Sequence, residues 1–212
     1  MKGIFITFEG TEGSGKTTII NNLIKELKSN NYDAISTREP GGVDISEQIR
    51  NVILNVDNTK MDKVTEALLY AASRRQHLVE VLIPGLENGK VVICDRYIDS
   101  SLAYQGYARG IGIDKVFAIN QFAIDGLFPD LTIYIKVAPE IGLSRIERNE
   151  RMQDRLDLET IEFHKKVYDG YIEVGKKFSN RFKVVDGERD ISLVYKDVKA
   201  IVFDFLENYN GS

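Results

Sequence analysis

The sequence predicts a single α/β domain, a parallel sheet flanked by helices, and three observations predict it. Short apolar runs rich in β-branched residues alternate along the chain with longer segments whose apolar residues recur at helical spacing. The first such run ends in a glycine-rich turn that opens straight into a helix. The length, 212 residues, suits one α/β domain with a substantial core and is too short for two typical ones. No internal repeat, low-complexity tract or Pro/Ser-rich linker interrupts it.

The elements follow in order. Ile4-Phe5-Ile6-Thr7-Phe8 reads as a buried strand. After it comes Gly10-Thr11-Glu12-Gly13-Ser14-Gly15-Lys16-Thr17, which fits G-x-x-x-x-G-K-[S/T] at every fixed position. Residues 17–27 carry apolar side chains at 20, 23, 24 and 27, a helical pattern. The glycines let the backbone turn its N–H groups inward, and the helix N-terminus adds positive potential. Lys16 would reach the outer phosphates and the Thr17 hydroxyl would hold Mg²⁺. An ordinary glycine-rich turn explains the glycines but not Lys-Thr at this offset. The motif implies a nucleoside triphosphate and places the fold in the three-layer phosphate-loop NTPase class.

Tyr32 to Thr37 is the next predicted strand, ended by Arg38-Glu39-Pro40-Gly41-Gly42, and Val43 to Asn55 a helix. Asp62 to Glu87 reads as one long helix, with Val64, Ala67, Leu68, Ala71, Leu78 and Leu82 near one face. Lys90 to Cys94 is a buried strand reaching Asp95, Ile113 to Gly126 a helix, and Leu131 to Ile135 a strand. Pro139 to Arg148 opens a helix with proline where its missing N–H costs little. Leu158 to Phe178, Phe182 to Val185 and Ile191 to Glu207 complete the pattern as helix, strand and helix. The count is five strands in a parallel sheet, one domain over 1–212. Four arginines crowd Arg145 to Arg155. Such a run is commonly a solvated helix end, but beside a phosphate loop it reads as a flap, a lid segment at about 145–157.

Charge and composition narrow the function. A net charge of −4 and a pI near 5.4 supply no basic excess for nucleic acid. No apolar stretch approaches the roughly 20 residues a membrane span needs, and the N-terminus shows no signal pattern. The single cysteine, Cys94, suits a reducing compartment. These features point to a soluble, cytoplasmic protein. His77 and His164 lack a second ligand at metal spacing, so no zinc site is read, and Cys94 reads as a small buried residue.

In an open parallel sheet, ligands bind at the carboxyl ends of the strands. The first strand delivers Glu12 and Lys16, the second Arg38 and Glu39, the third Asp95 and Arg96. Asp95 is placed to help position Mg²⁺, or else to cap a turn. Arg96 can bridge two phosphates with its planar, permanently charged fork. Thr59-Lys60-Met61-Asp62 matches a loose guanine-reading pattern, but the chain has no D-x-x-G and the match precedes a long helix, so Asp62 reads as a helix cap and a GTP switch is a weak alternative. A non-catalytic nucleotide-binding module is the other.

Arg38-Glu39-Pro40-Gly41-Gly42, Asp95-Arg96-Tyr97 and Ser100-Ser101-Leu102-Ala103-Tyr104-Gln105-Gly106, in that order after the phosphate loop, resemble bacterial thymidylate kinases (dTMP kinases). The resemblance runs from about Gly3 to the C-terminal helix. It implies transfer of the γ-phosphoryl group of ATP to dTMP with Mg²⁺, giving ADP and dTDP on the way to dTTP, and commonly a homodimer. It implies that Glu12 contacts the sugar 3′-hydroxyl, Tyr70 stacks on thymine, and Arg74 bonds its O4. Ser101 and Gln105 match positions near the base edge, Tyr104 one beside the sugar C2′, Arg50 and Arg96 contacts to the acceptor phosphate, and Glu39 a carboxylate near metal and phosphate. The loop has no arginine of its own, so the chain resembles members that supply one from the lid, with Arg148, Arg151 and Arg155 as candidates and Arg151 chosen. A kinase for another nucleotide or nucleoside is the alternative among enzymes.

Overall fold

A computed structural model describes residues 3–148 and 154–209. Strands β1 (Ile4–Glu9), β2 (Ala34–Arg38), β3 (Val91–Asp95), β4 (Leu131–Lys136) and β5 (Phe182–Asp186) form one sheet in the order β2-β3-β1-β4-β5. Every pairing is parallel. The strands inside the sheet are covered on both faces, which is why their sequences run apolar without alternation. Successive side chains feed opposite faces. Phe5, Val92, Cys94 and Tyr134 enter one apolar cluster, and Ile6, Phe8, Ile93 and Ile133 the other. Helices over each cluster complete three layers.

The helices are α1 (Lys16–Ser29), α2 (Asp44–Leu54), α3 (Lys63–His77), α4 (Ile83–Glu87), α5 (Ile98–Ser101), α6 (Ile113–Ile124), α7 (Pro139–Arg148), α8 (Ile161–Lys177) and α9 (Ile191–Asn208). Leu23 and Leu27 of α1 and Val194, Val198 and Val202 of α9 seal one face. Leu78, Leu82, Val167, Tyr171 and Val174 lie in the cluster on the other.

Three segments differ from the sequence pattern. The run from Asp62 to Glu87 is helical throughout but widens to π pitch over Leu78–Leu82, just before Pro84, which has no N–H to give. Its apolar residues divide between two faces: Ala67, Ala71, Leu78 and Leu82 are buried, whereas Val64 and Leu68 are 42% and 51% exposed. The helix expected from Leu158 starts at Ile161, because the Thr160 hydroxyl caps it by accepting from the Phe163 amide at 3.3 Å. Asp62 is likewise a cap, accepting from the Val64 and Thr65 amides at 2.8 and 3.0 Å, so the guanine-reading match is a helix start. Residues following α5 continue as a second π stretch, Leu102–Ala108. Among the described residues, no helix is long and apolar enough to cross a membrane.

Candidate active site

Parallel register brings three strand ends level: Arg38 pairs with Asp95, and Asp95 with Phe8. The phosphate loop leaves β1 beside them, with β3 on one side and β4 on the other, the reversal point where crevices open. Gly13 and Gly15 take φ of 68° and 87°, a left-handed backbone that a side chain would oppose. The Lys16 ammonium folds back on the loop, donating to the carbonyls of Gly10 and Thr11 at 3.1 and 3.2 Å and to Ser14 Oγ at 3.1 Å. Burial pushes this ammonium down to about 8; Arg96 adds to the effect, and Asp95, Glu12 and Glu9 oppose it. Thr11 braces the loop by donating to the Val137 carbonyl.

Thr17 donates to Asp95 Oδ2 across 3.4 Å, while Asp95 Oδ1 is buried without a hydrogen-bond partner. An unpartnered carboxylate oxygen beside a hydroxyl is a donor set that fits a hard divalent cation.

Arg96 joins the loop to a second chamber. Its Nη2 donates to Glu12 Oε1 at 2.6 Å, its Nη1 to Ser100 Oγ at 3.3 Å and to the Tyr171 hydroxyl at 3.1 Å, and it lies over the Tyr104 ring at 5.2 Å. The Tyr104 hydroxyl also reaches Glu12 Oε1, at 3.3 Å. One pocket is lined by Glu12, Lys16, Asp95 and Arg96 together with Glu39, Arg50, Tyr70, Arg74, Ser101, Tyr104 and Gln105. The structure thus gathers around one cavity every residue that the sequence assigned to the acceptor.

At the far end of that pocket Arg74 is almost fully buried. Its Nε donates to Glu39 Oε2 at 2.7 Å, Nη1 to Ser101 Oγ at 3.0 Å and to Asn120, and Nη2 to the Tyr97 carbonyl at 3.0 Å. Glu39 has both oxygens engaged, Oε2 by Arg74 and Oε1 by His77 Nδ1 at 2.9 Å, so in this state it braces Arg74. His77, isolated in sequence, converges with Glu39 and Cys94, but Thr37, Arg74 and the Arg96 carbonyl already occupy their polar atoms. Gln105 donates to the buried Glu66 at 2.9 Å. Burial works against the charge of Glu66, yet Arg109, with Gln105 and Arg155, holds its carboxyl below the usual range.

Two described arginines of the arginine-rich segment, Arg145 and Arg155, are engaged by other parts of the fold. Arg145 donates to the Gly187 carbonyl at 3.2 Å. Arg155 bonds the Ile53 carbonyl at 2.8 Å and Glu66 at 2.5 Å, which turns this candidate away from the loop. Arg151 and the side chain of Arg148 lie outside the described residues. Sequence reasoning did not single out a second pocket, on the other flank of the phosphate loop, lined by Gly13, Gly15, Arg145, Ile146, Gly187, Arg189 and Ile191. Nor did it find Asn120, Tyr171 and Glu66. His77 and Glu66 had a legible signal, His77 lying three and seven residues after Arg74 and Tyr70 and Glu66 four and eight before Tyr70 and Arg74 on one helix.

A family model described as thymidylate kinase matches residues 8–198. The chain belongs to the thymidylate kinase family. It is 61% identical over 202 residues to the thymidylate kinase of Clostridium novyi strain NT, covering 95% of this chain and 98% of that protein. To that of Bacillus licheniformis it is 56% identical over 208 residues, covering 98% of each. The crystal structure of thymidylate kinase from Ehrlichia chaffeensis superposes with a TM-score of 0.77 at 35% identity, over 96% of this chain and 99% of that one. Thymidylate kinases are nucleoside monophosphate kinases, so the chain is a member of an enzyme family.

Proposed function

We infer that the protein transfers the γ-phosphoryl group of ATP to dTMP, giving ADP and dTDP. The observation that carries this is the pocket running from Arg96 and Glu12, beside the phosphate loop, to the buried Arg74. Phosphoryl transfer asks little covalent chemistry of a protein; it asks alignment and positive charge around the moving group. The loop amides and the start of α1 cradle the donor phosphates. Lys16 exchanges its loop carbonyls for phosphate oxygens. Arg96, between the loop and the acceptor chamber, meets the transferred group, and Arg50 steadies the acceptor phosphate. Thr17 and Asp95 would hold Mg²⁺, which when bound neutralises charge on the β- and γ-phosphates. Arg151 is the lid arginine that completes the cage.

Arg74 donates hydrogen bonds and accepts none, so it favours a base edge bearing a carbonyl, as thymine does, over the amino edge of cytosine. Tyr70 offers a ring for stacking; Ser101 and Gln105 line the base edge. Tyr104 stands beside the sugar. The pocket beside Gly187 and Arg189 receives the donor base. We read the chain as a single kinase domain, 1–212, whose lid spans about 145–157, working in the cytoplasm on small nucleotides as a homodimer.

The test is coupled ADP release with ATP–Mg²⁺ and dTMP, dUMP, UMP, dCMP, AMP or GMP in parallel. Turnover should be strongest with dTMP. Lys16→Met should lower kcat by about a thousandfold without unfolding the chain. Strongest turnover with another monophosphate would overturn the thymine assignments, and unchanged turnover by Lys16→Met the whole reading.

A further inference from the structure

Glu9 ends β1 one residue before the phosphate loop and is fully buried. Its neighbours are arranged by hydrogen-bond polarity. The Tyr97 amide donates to Oε1 at 2.9 Å. The hydroxyls of Ser100 and Tyr171 donate to Oε2 at 2.5 and 2.9 Å. Those same two hydroxyl oxygens accept from Arg96 Nη1. A hydroxyl has one hydrogen and two lone pairs. With both hydrogens turned toward the Glu9 carboxylate, the lone pairs face the guanidinium. Arg96 itself holds φ of 70°, a backbone that non-glycine residues rarely adopt, and the next amide is the one Glu9 accepts.

We propose that Glu9 is a positioning residue for phosphoryl transfer, its carboxylate orienting Ser100 and Tyr171 to receive Arg96 and so fixing the guanidinium that meets the transferred group. The inference rests on the kinase reading for its assay. Protonation disturbs the arrangement. Oε1 already faces an N–H, so the proton sits on Oε2 and donates to a hydroxyl, which must then turn its own hydrogen off the carboxylate, toward Arg96 or toward the other hydroxyl 2.9 Å away. Burial pushes the Glu9 carboxyl up to about 7, with Asp99 adding repulsion, while Ser100, Arg96 and the Tyr97 amide hold it down. Lys16, Cys94, Tyr134 and Tyr171 also face it from α1, β3, β4 and α8. The active form is the carboxylate, so kcat falls as pH drops through about 7.

Glu9→Gln tests this without changing shape. The Tyr97 amide keeps the amide oxygen on its side, so the NH₂ faces Ser100 and Tyr171; one hydroxyl can then donate to the other, and the second turns its hydrogen toward Arg96. Expected is a fall in kcat of about tenfold or more, a KM for ATP within about twofold, and loss of the acid limb. Wild-type kcat with the acid limb intact would overturn the proposal. If Glu9→Gln does not fold, Tyr171→Phe decides: it should lower kcat and shift the limb, and a variant changing neither overturns the proposal. Wild-type protein that releases no ADP with dTMP would sink the kinase reading instead. Crystal structures on either side of about pH 7 then decide, with Arg96 expected on Ser100 and Tyr171 only at the higher pH. An unmoved Arg96 would overturn the proposal.

Discussion

Asp99 and Arg181 form a second buried charge cluster, away from the pocket. Arg181 donates to Asp99 through both Nη atoms at 2.6 and 2.7 Å, and to Thr132, which in turn donates to Asp99 at 3.1 Å. Asp99 is fully buried and Arg181 nearly so. The pair ties α5, just after Arg96, to β4 and the start of β5. Removing one partner of a buried pair leaves an uncompensated charge. Arg181→Met should therefore lower unfolding free energy by about 3–5 kcal/mol in denaturant titration. Adding Asp99→Leu to it should recover most of that loss. Neither residue stood out in the sequence, and Glu9 did not either: Tyr171 is 162 positions from Glu9, and helix or strand periodicity carries no information about such pairs. The places of Lys16, Thr17 and Asp95 around one cleft were legible because local spacing after a strand sets them.

Between elements, the closest approach at the site is made by glycines. A Cβ on Gly13 would lie 2.1 Å from the Gly142 carbonyl oxygen, and one on Gly142 2.2 Å from the Glu12 carbonyl oxygen. Helix α7 thus seats backbone on backbone against the phosphate loop, with Arg145 also donating to the Gly13 carbonyl at 3.5 Å. Gly142→Ala should push α7 off the loop, raising the Kd for ATP by about tenfold in calorimetry while shifting Tm by only a few degrees. Strands and helices were legible to within a few residues because their apolar periods are strong. The two π stretches were not, since a wider turn leaves no sequence mark of its own. The 102–108 stretch is held by packing on α8, where a Cβ on Gly170 would meet the Ala103 carbonyl oxygen at 2.9 Å. The lone apolar face expected of the long helix was two faces, because apolar spacing records burial without saying against what.

The second of those faces matters for the whole molecule. Val64, Leu68 and Val79, on the helical run from α3, are exposed beside α6, whose Phe122 is 91% exposed. Arg75 bonds the Ala123 carbonyl and holds the two helices together. A large apolar patch on a folded surface marks a partner, and a second copy of this chain is the partner we propose. Light scattering should give twice the chain mass for the wild type and a single chain mass for Leu68→Asp with Phe122→Asp.

The strand order also divides the chain's inheritance. The pocket beside Arg74 draws its walls from residues 12 to 105, apart from Asp154 and Leu156. The pocket beside Gly187 draws on residues 145 to 191, plus two glycines of the loop. Changes in the walls of either pocket are therefore written mostly in different parts of the coding sequence, with the phosphate loop and the stretch around Asp154 and Leu156 as the parts where the two meet.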